Sequence, residues 1–228
     1  MIKVDHIEVW GFEHAIRGMR NPYDSWDKSD SDCHNVEQCS ECEHYLEDCH
    51  NHILDGGKCF HVGDNDLLLM QKLFKGGTEH RKYLRQIVVS MDITAPFYWW
   101  KEFDTYKVGT VANSCSTMHT IAKKEFTLDD FSCEHLNTSS KTWLEKTLVL
   151  LNTFRECYLS THNKDDWWQL IQLLPTSYNQ KRTVTMNYEN VFTIMRQRKG
   201  HRLDEWHTLC DILKELPYVK EIGGTEDV

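Results

Sequence analysis

Aromatic rings, charges and small polar side chains are concentrated between residues 91 and 119. Trp99 and Trp100 are adjacent, Lys107 follows them, and a run of small polar residues begins at Gly109. This mixture is typical of a pocket in which rings sandwich a flat ligand while hydroxyls and amides approach its phosphate or its ring edges. An amphipathic helix and turn that bury the tryptophans in the core would have the same composition. The residue types alone leave both interpretations open.

A second group of reactive side chains lies in residues 24–63, an acidic and polar segment rich in cysteine and histidine. It contains a Cys-x-x-Cys pair, in which two thiolates can bind one tetrahedral zinc ion. The sequence predicts a structural zinc site with four thiolate ligands: Cys33, Cys39, Cys42 and Cys49. The alternative ligands are His34, His50 and Cys59. A zinc ion would supply folding energy that so polar a segment lacks, whereas without metal the segment would be a flexible loop with reduced cysteines.

The composition limits the class of protein. With 228 residues and 40% hydrophobic side chains, we expect one compact domain over residues 1–228, with residues 24–63 as an insertion. The net charge of −9 argues against a general nucleic-acid binder, although local Arg and Lys residues can still hold a small anion. No apolar run reaches the length of a membrane span, and no secretion signal is recognised. We therefore expect a cytoplasmic protein whose nine cysteines are reduced.

Hydrophobic periodicity predicts the elements that must position these residues. Strands are expected over residues 2–9, from Ile87 onwards, and over 183–187. Helices are expected over residues 14–20, 65–75, 142–160, 165–174, 188–198 and 203–216. Asp64 or Asn65 is predicted to cap the second of these helices, and Asn187 to cap the fifth. Before the strand at Ile87 lies a basic cluster that can contact an anionic ligand or remain a solvated surface, and it consists of His80, Arg81 and Arg85.

Two sequence patterns resemble those of the flavin-dependent thymidylate synthases. That family has the signature Arg-His-Arg, seven residues and then Ser, with Asn three positions before the Ser. In this chain Tyr106-Lys107-Val108, seven further residues and Ser116 occupy the frame, and Asn113 occupies the Asn position. The second pattern is a Leu-Pro, a β-prone run that ends in Asn, and a helix that ends in Arg. Leu174-Pro175, Asn187 and Arg198 match it.

The resemblance implies an α+β fold in which helices pack on a central, mostly antiparallel sheet, with the Cys/His-rich segment as an insertion. It also implies roles for individual residues. The implied catalytic residues are Ser116 and Arg198, and the implied substrate-binding residues are Ser116, Arg198, Tyr106, Arg85 and His119. The implied cofactor-binding residues are Asn187, Asn113, Lys107, His80 and Arg81. By the same resemblance, Tyr98, Trp99 and Trp100 are expected to stack on flavin or to form a subunit interface.

The chain departs from the family at positions that hold anions. Tyr106, Lys107 and Val108 replace the Arg-His-Arg signature, and Glu189 stands where the family usually has Arg. Lys107 retains one positive charge of the signature. The basic cluster and His119 are candidates to replace the others.

The function implied by the resemblance is the reductive methylation of dUMP to dTMP. Reduced FAD would deliver hydride, methylenetetrahydrofolate would supply the one-carbon unit, and NADPH would regenerate the flavin. The family also implies a homotetramer with active sites shared between subunits. Two alternatives remain, namely a related nucleotide-binding protein with other or no catalytic activity, and an interaction protein stabilised by zinc.

Overall fold

Four strands form the central sheet of the computed structural model, which describes residues 2–35, 53–55 and 58–227. In the order β1-β5-β7-β6, they are β1 (Lys3–Trp10), β5 (Val88–Pro96), β7 (Asn179–Asn187) and β6 (Thr110–Ser114). A smaller antiparallel sheet has the order β2-β4-β3, with β2 at Asp32–Asn35, β3 at Ile53–Asp55 and β4 at Lys58–His61. The predicted α+β class with a mostly antiparallel central sheet is confirmed.

β5 is a strand because its buried and half-buried side chains alternate. Every second side chain from Val89 to Ala95 is fully buried, as the period of two requires. β5 runs antiparallel to β7, since Ser90 hydrogen-bonds Thr185 at 3.1 Å while Thr183 Oγ1 donates to Asp92 at 2.6 Å. β5 leads directly into the aromatic stretch at Phe97, and β7 leads directly into the helix that begins at Tyr188.

Most helices lie close to their predicted positions. The helices are α1 (Phe12–Arg20), α2 (Asp64–Lys75), α3 (Phe97–Phe103), α4 (Thr117–Thr120), α5 (Thr138–Thr161), α6 (Lys164–Leu173), α7 (Tyr188–Arg198), α8 (Asp204–Lys214) and α9 (Val219–Asp227). α7 has the predicted bounds. α5 begins earlier than predicted because Asn137 caps it, with its side chain accepting a hydrogen bond from Ser140 N at 2.9 Å.

The chain divides into two compact units. Among the described residues, unit 1 contains 2–5, 92–105 and 112–183, and unit 2 contains 6–35, 53–55, 58–91, 106–111 and 184–227. Each strand of the central sheet contributes residues to both units.

Trp99 and Trp100 belong to the core of unit 1. Both are at most 1% exposed, and Trp99 stacks on Phe103 with ring centroids 5.2 Å apart. Trp100 Nε1 donates to Gln180 O at 2.9 Å, which satisfies the indole inside the core. Rings this deeply buried cannot stack on a flavin or reach another subunit, so that expectation is wrong for both tryptophans. The interpretation as an amphipathic helix is correct for them.

A buried ion pair joins α1 to α2 within unit 2. Arg20 Nε donates to Asp66 Oδ1 at 2.5 Å, and the two side chains are 5% and 0% exposed. Asp66 Oδ2 also accepts hydrogen bonds from the hydroxyls of Ser29 and Ser31, both at 2.6 Å. These contacts fasten the segment before β2 to the first turn of α2.

The first turn of α2 is capped from a distant part of the chain. The N-cap residue is Gly63, which has no side chain, and the Asp30 carboxylate accepts from Asn65 N at 2.9 Å and from Asp66 N at 3.2 Å. The prediction that Asp64 or Asn65 caps this helix is therefore wrong. The acceptor comes instead from a residue 35 positions before Asn65.

Most of the predicted zinc ligands fall outside the part of the chain that the structure describes. Cys33 lies in β2, whereas Cys39, Cys42 and Cys49 lie outside the described residues. Within the described ranges, no group of three or more His, Cys, Asp or Glu side chains is arranged to hold a metal ion. The zinc site stays a prediction. No helix in the described ranges is long and apolar enough to span a membrane.

Candidate functional site

The first turn of α7 is tied to the loop that carries the signature frame, and both lie in unit 2. Asn187 caps the helix, with its Oδ1 accepting from Asn190 N at 3.1 Å. Asn190 Nδ2 in turn donates to Val108 O at 2.8 Å and to Thr110 Oγ1 at 2.7 Å. The capping role predicted for Asn187 is confirmed, and the loop is held to α7 by amide side chains.

Gly109 allows the loop to approach α7 this closely. Its φ is 72°, in the left-handed region that favours glycine, and a Cβ at this position would lie 2.6 Å from Asn187 Nδ2. The two residues before Gly109 point away from the protein. Lys107 is exposed, and Val108 is 89% exposed. The loop therefore presents one positive charge to solvent at the position of the family signature.

At the other end of α7, Arg198 is held between aromatic side chains. Its Nε donates to Tyr106 Oη at 2.8 Å, and its Cζ lies 4.4 Å from the centre of the Trp206 ring. Tyr106 donates its own hydroxyl proton to Gln197 Oε1 at 3.0 Å, and its ring packs edge-on against Trp206 at 6.0 Å. A cation over an indole face is stabilised by the ring quadrupole. The half-buried guanidinium is thus fixed in position by a phenol and an indole.

The charge of Arg198 is not cancelled by the thiol of Cys210. Burial raises the pKa of Cys210 to about 11, and the positive charges of Lys214 and Arg198 offset this only in part. The thiol therefore stays neutral at physiological pH.

The basic cluster lies at and within the 3₁₀-helix Arg81–Arg85 of unit 2. Arg81 Nε donates to Phe74 O at 2.7 Å, and its Cζ lies 3.9 Å above the Phe74 ring, so Arg81 is engaged in packing. His80 and Arg85 are exposed. His80 lines a cavity of about 640 Å³ together with Tyr23, Lys82 and Gln86. This volume lies within the roughly 300–1,000 Å³ of small-molecule sites.

Glu189, at the position where the family usually has Arg, has an unusual setting in the first turn of α7. Its Oε2 is buried and accepts no hydrogen bond from any of the described residues. The charge of Glu189 acts on nearby Tyr83: burial raises the pKa of Tyr83, the charge of Arg81 lowers it, and the charge of Glu189 raises it further. A carboxylate in the first turn already complements the helix dipole and repels an added phosphate. Glu189 and Arg81 are thus poor candidates for holding an anionic cofactor.

Other side chains of unit 2 do fit an anionic cofactor. The pyrophosphate of FAD requires positive charges or N–H donors that face solvent. Lys107, His80 and Arg85 have this chemistry and are exposed. Lys107, His80 and Arg85 are therefore the residues of this unit that could hold the pyrophosphate of FAD, and the cofactor role of Asn187 stays a prediction.

The remaining predicted site residues lie in unit 1, within β6 and in the segment that follows it. Ser116 is the N-cap residue of the four-residue helix α4, and its carbonyl accepts from Thr120 N at 3.0 Å. The preceding backbone is held to β7, because Cys115 N donates to Lys181 O at 2.9 Å. Asn113 and His119 are exposed. The roles of Ser116, Asn113 and His119 stay predictions.

The structure sorts the predicted residues into three groups. Tyr106, Lys107, Asn187 and Arg198 lie on α7 and its loop, and the basic cluster lies on the 3₁₀-helix of the same unit. Asn113, Ser116 and His119 lie in unit 1. Sequence reasoning missed Trp206 and Gln197. Trp206 fits the apolar period of α8, so the sequence marks it as an ordinary core residue. Gln197 is exposed, and nothing in the sequence distinguishes it from other surface glutamines.

Comparisons with known proteins identify the fold. No protein-family model matches the chain, and no curated protein matches it. Two crystal structures of ThyX, the flavin-dependent thymidylate synthase of Helicobacter pylori, with FAD and dUMP, are similar in structure. One is 14% identical with a TM-score of 0.62, covering 96% of both chains. The other is 15% identical with a TM-score of 0.64, covering 95% of this chain and 93% of that one. The predicted flavin-dependent thymidylate synthase-like fold is thereby confirmed.

Proposed function

We propose that unit 2 binds a nucleoside monophosphate, such as dUMP, through the guanidinium of Arg198. The observation that carries the proposal is the setting of this group, which donates to Tyr106 Oη at 2.8 Å and lies 4.4 Å from the Trp206 ring. A guanidinium that is fixed in this way loses little conformational entropy when it forms bidentate contacts with a phosphate or a uracil edge. The fold gives independent support, since ThyX structures of the same fold contain dUMP.

Calorimetric titration with dUMP tests the proposal. Replacement of Arg198 by Lys keeps the charge but loses the planar fork, and we expect affinity to fall roughly 10- to 100-fold, as for a lost charge-assisted hydrogen bond. The matched control is Arg196→Lys, because Arg196 is an exposed arginine on the same helix. Equal binding by the wild type and Arg198→Lys would refute the proposal. So would a folded wild type that binds no dUMP at about 1 mM, where the binding free energy is only about −4 kcal/mol.

A second candidate function is the FAD-dependent reductive methylation of dUMP to dTMP. It is favoured by the presence of FAD beside dUMP in the ThyX structures. When bound, reduced FAD would supply hydride chemistry, with methylenetetrahydrofolate as the carbon donor and NADPH as the external reductant. In this chain Lys107, His80 and Arg85 would bind the cofactor, and Arg198 would orient the nucleotide. Ser116, Asn113 and His119 belong to the same proposal as residues of unit 1.

Two measurements separate the second candidate from the first. A visible absorption spectrum of the protein mixed with FAD, taken with and without dUMP, shows whether flavin binds and whether the nucleotide perturbs it. Because the reaction replaces the hydrogen at C5 of uracil with a methyl group, tritium release from dUMP labelled at C5 reports turnover. If dUMP binds but no flavin binds and no tritium is released, the methylation is rejected while nucleotide binding stands.

Subunit assembly belongs to the same proposal. We infer a homotetramer from the family resemblance, and α5 of unit 1 offers surface for subunit contacts. On this helix Trp143 is 66% exposed and Val149 is 69% exposed. Exposed apolar patches often mark contact surfaces between subunits. Sedimentation equilibrium should give about four times the mass of one chain. A monomer at all concentrations would contradict the assembly.

A further inference from the structure

A small cavity in unit 2 lies beside the outer face of α1. Its volume is about 230 Å³, and its lining includes Arg17, Arg20, Trp26 and Phe60. A dry cavity of about 150 Å³ holds a benzene molecule, whereas drug-sized ligands need roughly 300 Å³ or more. The volume therefore suits one ring with a substituent and is too small for a nucleotide. None of the residues assigned above to nucleotide or cofactor binding lines it.

The cavity contains a buried positive group with a donor to spare. The Arg20 side chain is 5% exposed, its Nε is bound to Asp66, and its Nη1 donates to Ser25 O at 3.1 Å. No described residue accepts a hydrogen bond from its Nη2. A guanidinium N–H that faces a cavity can donate a charge-assisted hydrogen bond to a ligand oxygen. The cavity thus calls for a hydrogen-bond acceptor on its ligand.

The charges around the cavity favour an anionic acceptor. Asp66 balances Arg20, but its carboxylate is 0% exposed and is already bound by Ser29, Ser31 and Arg20, so a ligand cannot contact it directly. Arg17 adds an exposed positive charge, and Glu13 adds an exposed negative one on the same face of α1. Among the described residues that line the cavity, two arginines attract a ligand anion and only Glu13 carries an opposing charge.

Aromatic side chains provide a surface for a flat ring. Trp26 is 53% exposed, yet its indole is held in place because Nε1 donates to Asn21 Oδ1 at 2.7 Å. Phe60 is buried at the base and packs near Phe12, with ring centroids 6.5 Å apart. A large indole that is exposed but anchored costs little entropy when a ring stacks on it.

We propose that this cavity binds a small molecule consisting of one flat ring with a carboxylate or phosphate group. The anionic group contacts Arg20 Nη2 and Arg17, and the ring packs against Trp26 and Phe60. Such a ligand would also stabilise the Arg20–Asp66 pair. The site is separate from Arg198 and does not depend on the proposed nucleotide binding.

The test is a calorimetric titration of the full chain with benzoate, phenyl phosphate and the neutral analogue benzamide. The two anions should bind at least about tenfold more tightly than benzamide, as expected for a charge-assisted hydrogen bond. Preference between benzoate and phenyl phosphate identifies the anionic group. Arg17→Met and Trp26→Leu should each weaken binding about tenfold, whereas Glu13→Gln should strengthen it by removing the opposing charge.

Matched controls keep the proposal falsifiable. Arg196→Met and Trp143→Leu remove an exposed arginine and an exposed tryptophan elsewhere, and they should leave benzoate affinity unchanged. Glu13→Gln changes only an exposed side chain, so its gain cannot come from misfolding. Absence of anion binding by the folded wild type would overturn the proposal. Equal loss in the control variants, or no gain in Glu13→Gln together with no loss in Arg17→Met, would overturn it as well.

Discussion

Replacement of Asp66 by Asn should destabilise this protein far more than a typical surface substitution. The change keeps the size of the side chain but removes its charge, which leaves the guanidinium of Arg20 buried at 5% exposure without its partner. It also places an amide where four or more donors converge, including the hydroxyls of Ser29 and Ser31 at 2.6 Å. Breaking a buried ion pair from one side costs about 3–5 kcal/mol.

That loss is large enough for two independent assays. It is about a fifth or more of the roughly 5–15 kcal/mol by which ordinary domains are stable. For a chain of this length, 1 kcal/mol corresponds to about 2–4 °C, so the melting temperature should fall by about 6–20 °C. Urea denaturation followed by circular dichroism at pH 7 would measure the free energy directly.

The pH dependence of Asp66→Asn adds a further check. Burial alone would raise the pKa of Asp66, but hydrogen bonds from Ser29, Ser31 and Arg20, together with the Arg20 charge, hold the pKa below its ordinary value. A lowered pKa contributes stability above the unfolded value near 3.9, and this contribution is lost as the pH falls through the folded value. The difference between the wild type and Asp66→Asn should therefore stay constant from pH 7 to about pH 5 and shrink only as the pH falls below about 4.

The control is the double variant Arg20→Met/Asp66→Leu, which removes both charges. It should be closer to the wild type than Asp66→Asn, because well-packed apolar groups can replace a buried ion pair. A cost below about 1 kcal/mol for Asp66→Asn at pH 7 would refute the reasoning, since that is the range of exposed ion pairs.

Four further predictions concern the α7 region, the cysteines and zinc. Tyr106→Phe removes the hydrogen bonds to Arg198 and Gln197 but keeps the ring, so dUMP affinity measured by calorimetry should fall about fivefold, with thermal stability lowered by about 1 kcal/mol. Gly109→Ala forces a Cβ against Asn187 at a φ of 72° and should cost about 1–3 kcal/mol in thermal unfolding, unlike Gly200→Ala, where the new Cβ has open space. At pH 8, alkylation mapped by mass spectrometry should modify the exposed Cys115 and Cys157 and spare the buried Cys210. The raised pKa of Cys210, about 11, keeps it a thiol, so its alkylation should begin only as the pH approaches that value. Elemental analysis should find about one zinc ion per chain in the wild type and none in Cys39→Ser/Cys42→Ser, and a metal-free wild type would reject the zinc site.

Local sequence was sufficient wherever an element is determined by its own residues. Asn187 followed by an apolar period of 3.6 predicts α7 with its observed bounds, because the cap and the buried face both lie within a dozen residues. The start of β5 was likewise predicted from its own residues, the apolar run Ile87, Val88 and Val89. These two elements, with the family resemblance, were enough to predict the fold class and to place Arg198 at the end of its helix.

The tertiary structure decided every feature that joins residues distant in the chain. Arg198 meets Tyr106 across 92 positions, and Asp30 supplies the cap that neither Asp64 nor Asn65 provides. The burial of Trp99 and Trp100 likewise depends on what packs against α3, which no local pattern specifies. Periodicity shows which face of a helix is apolar, but it does not show which residue from elsewhere will cover that face. Whether a charged or aromatic side chain can bind a ligand depends on this long-range packing, because only the folded chain determines which of its atoms are already paired.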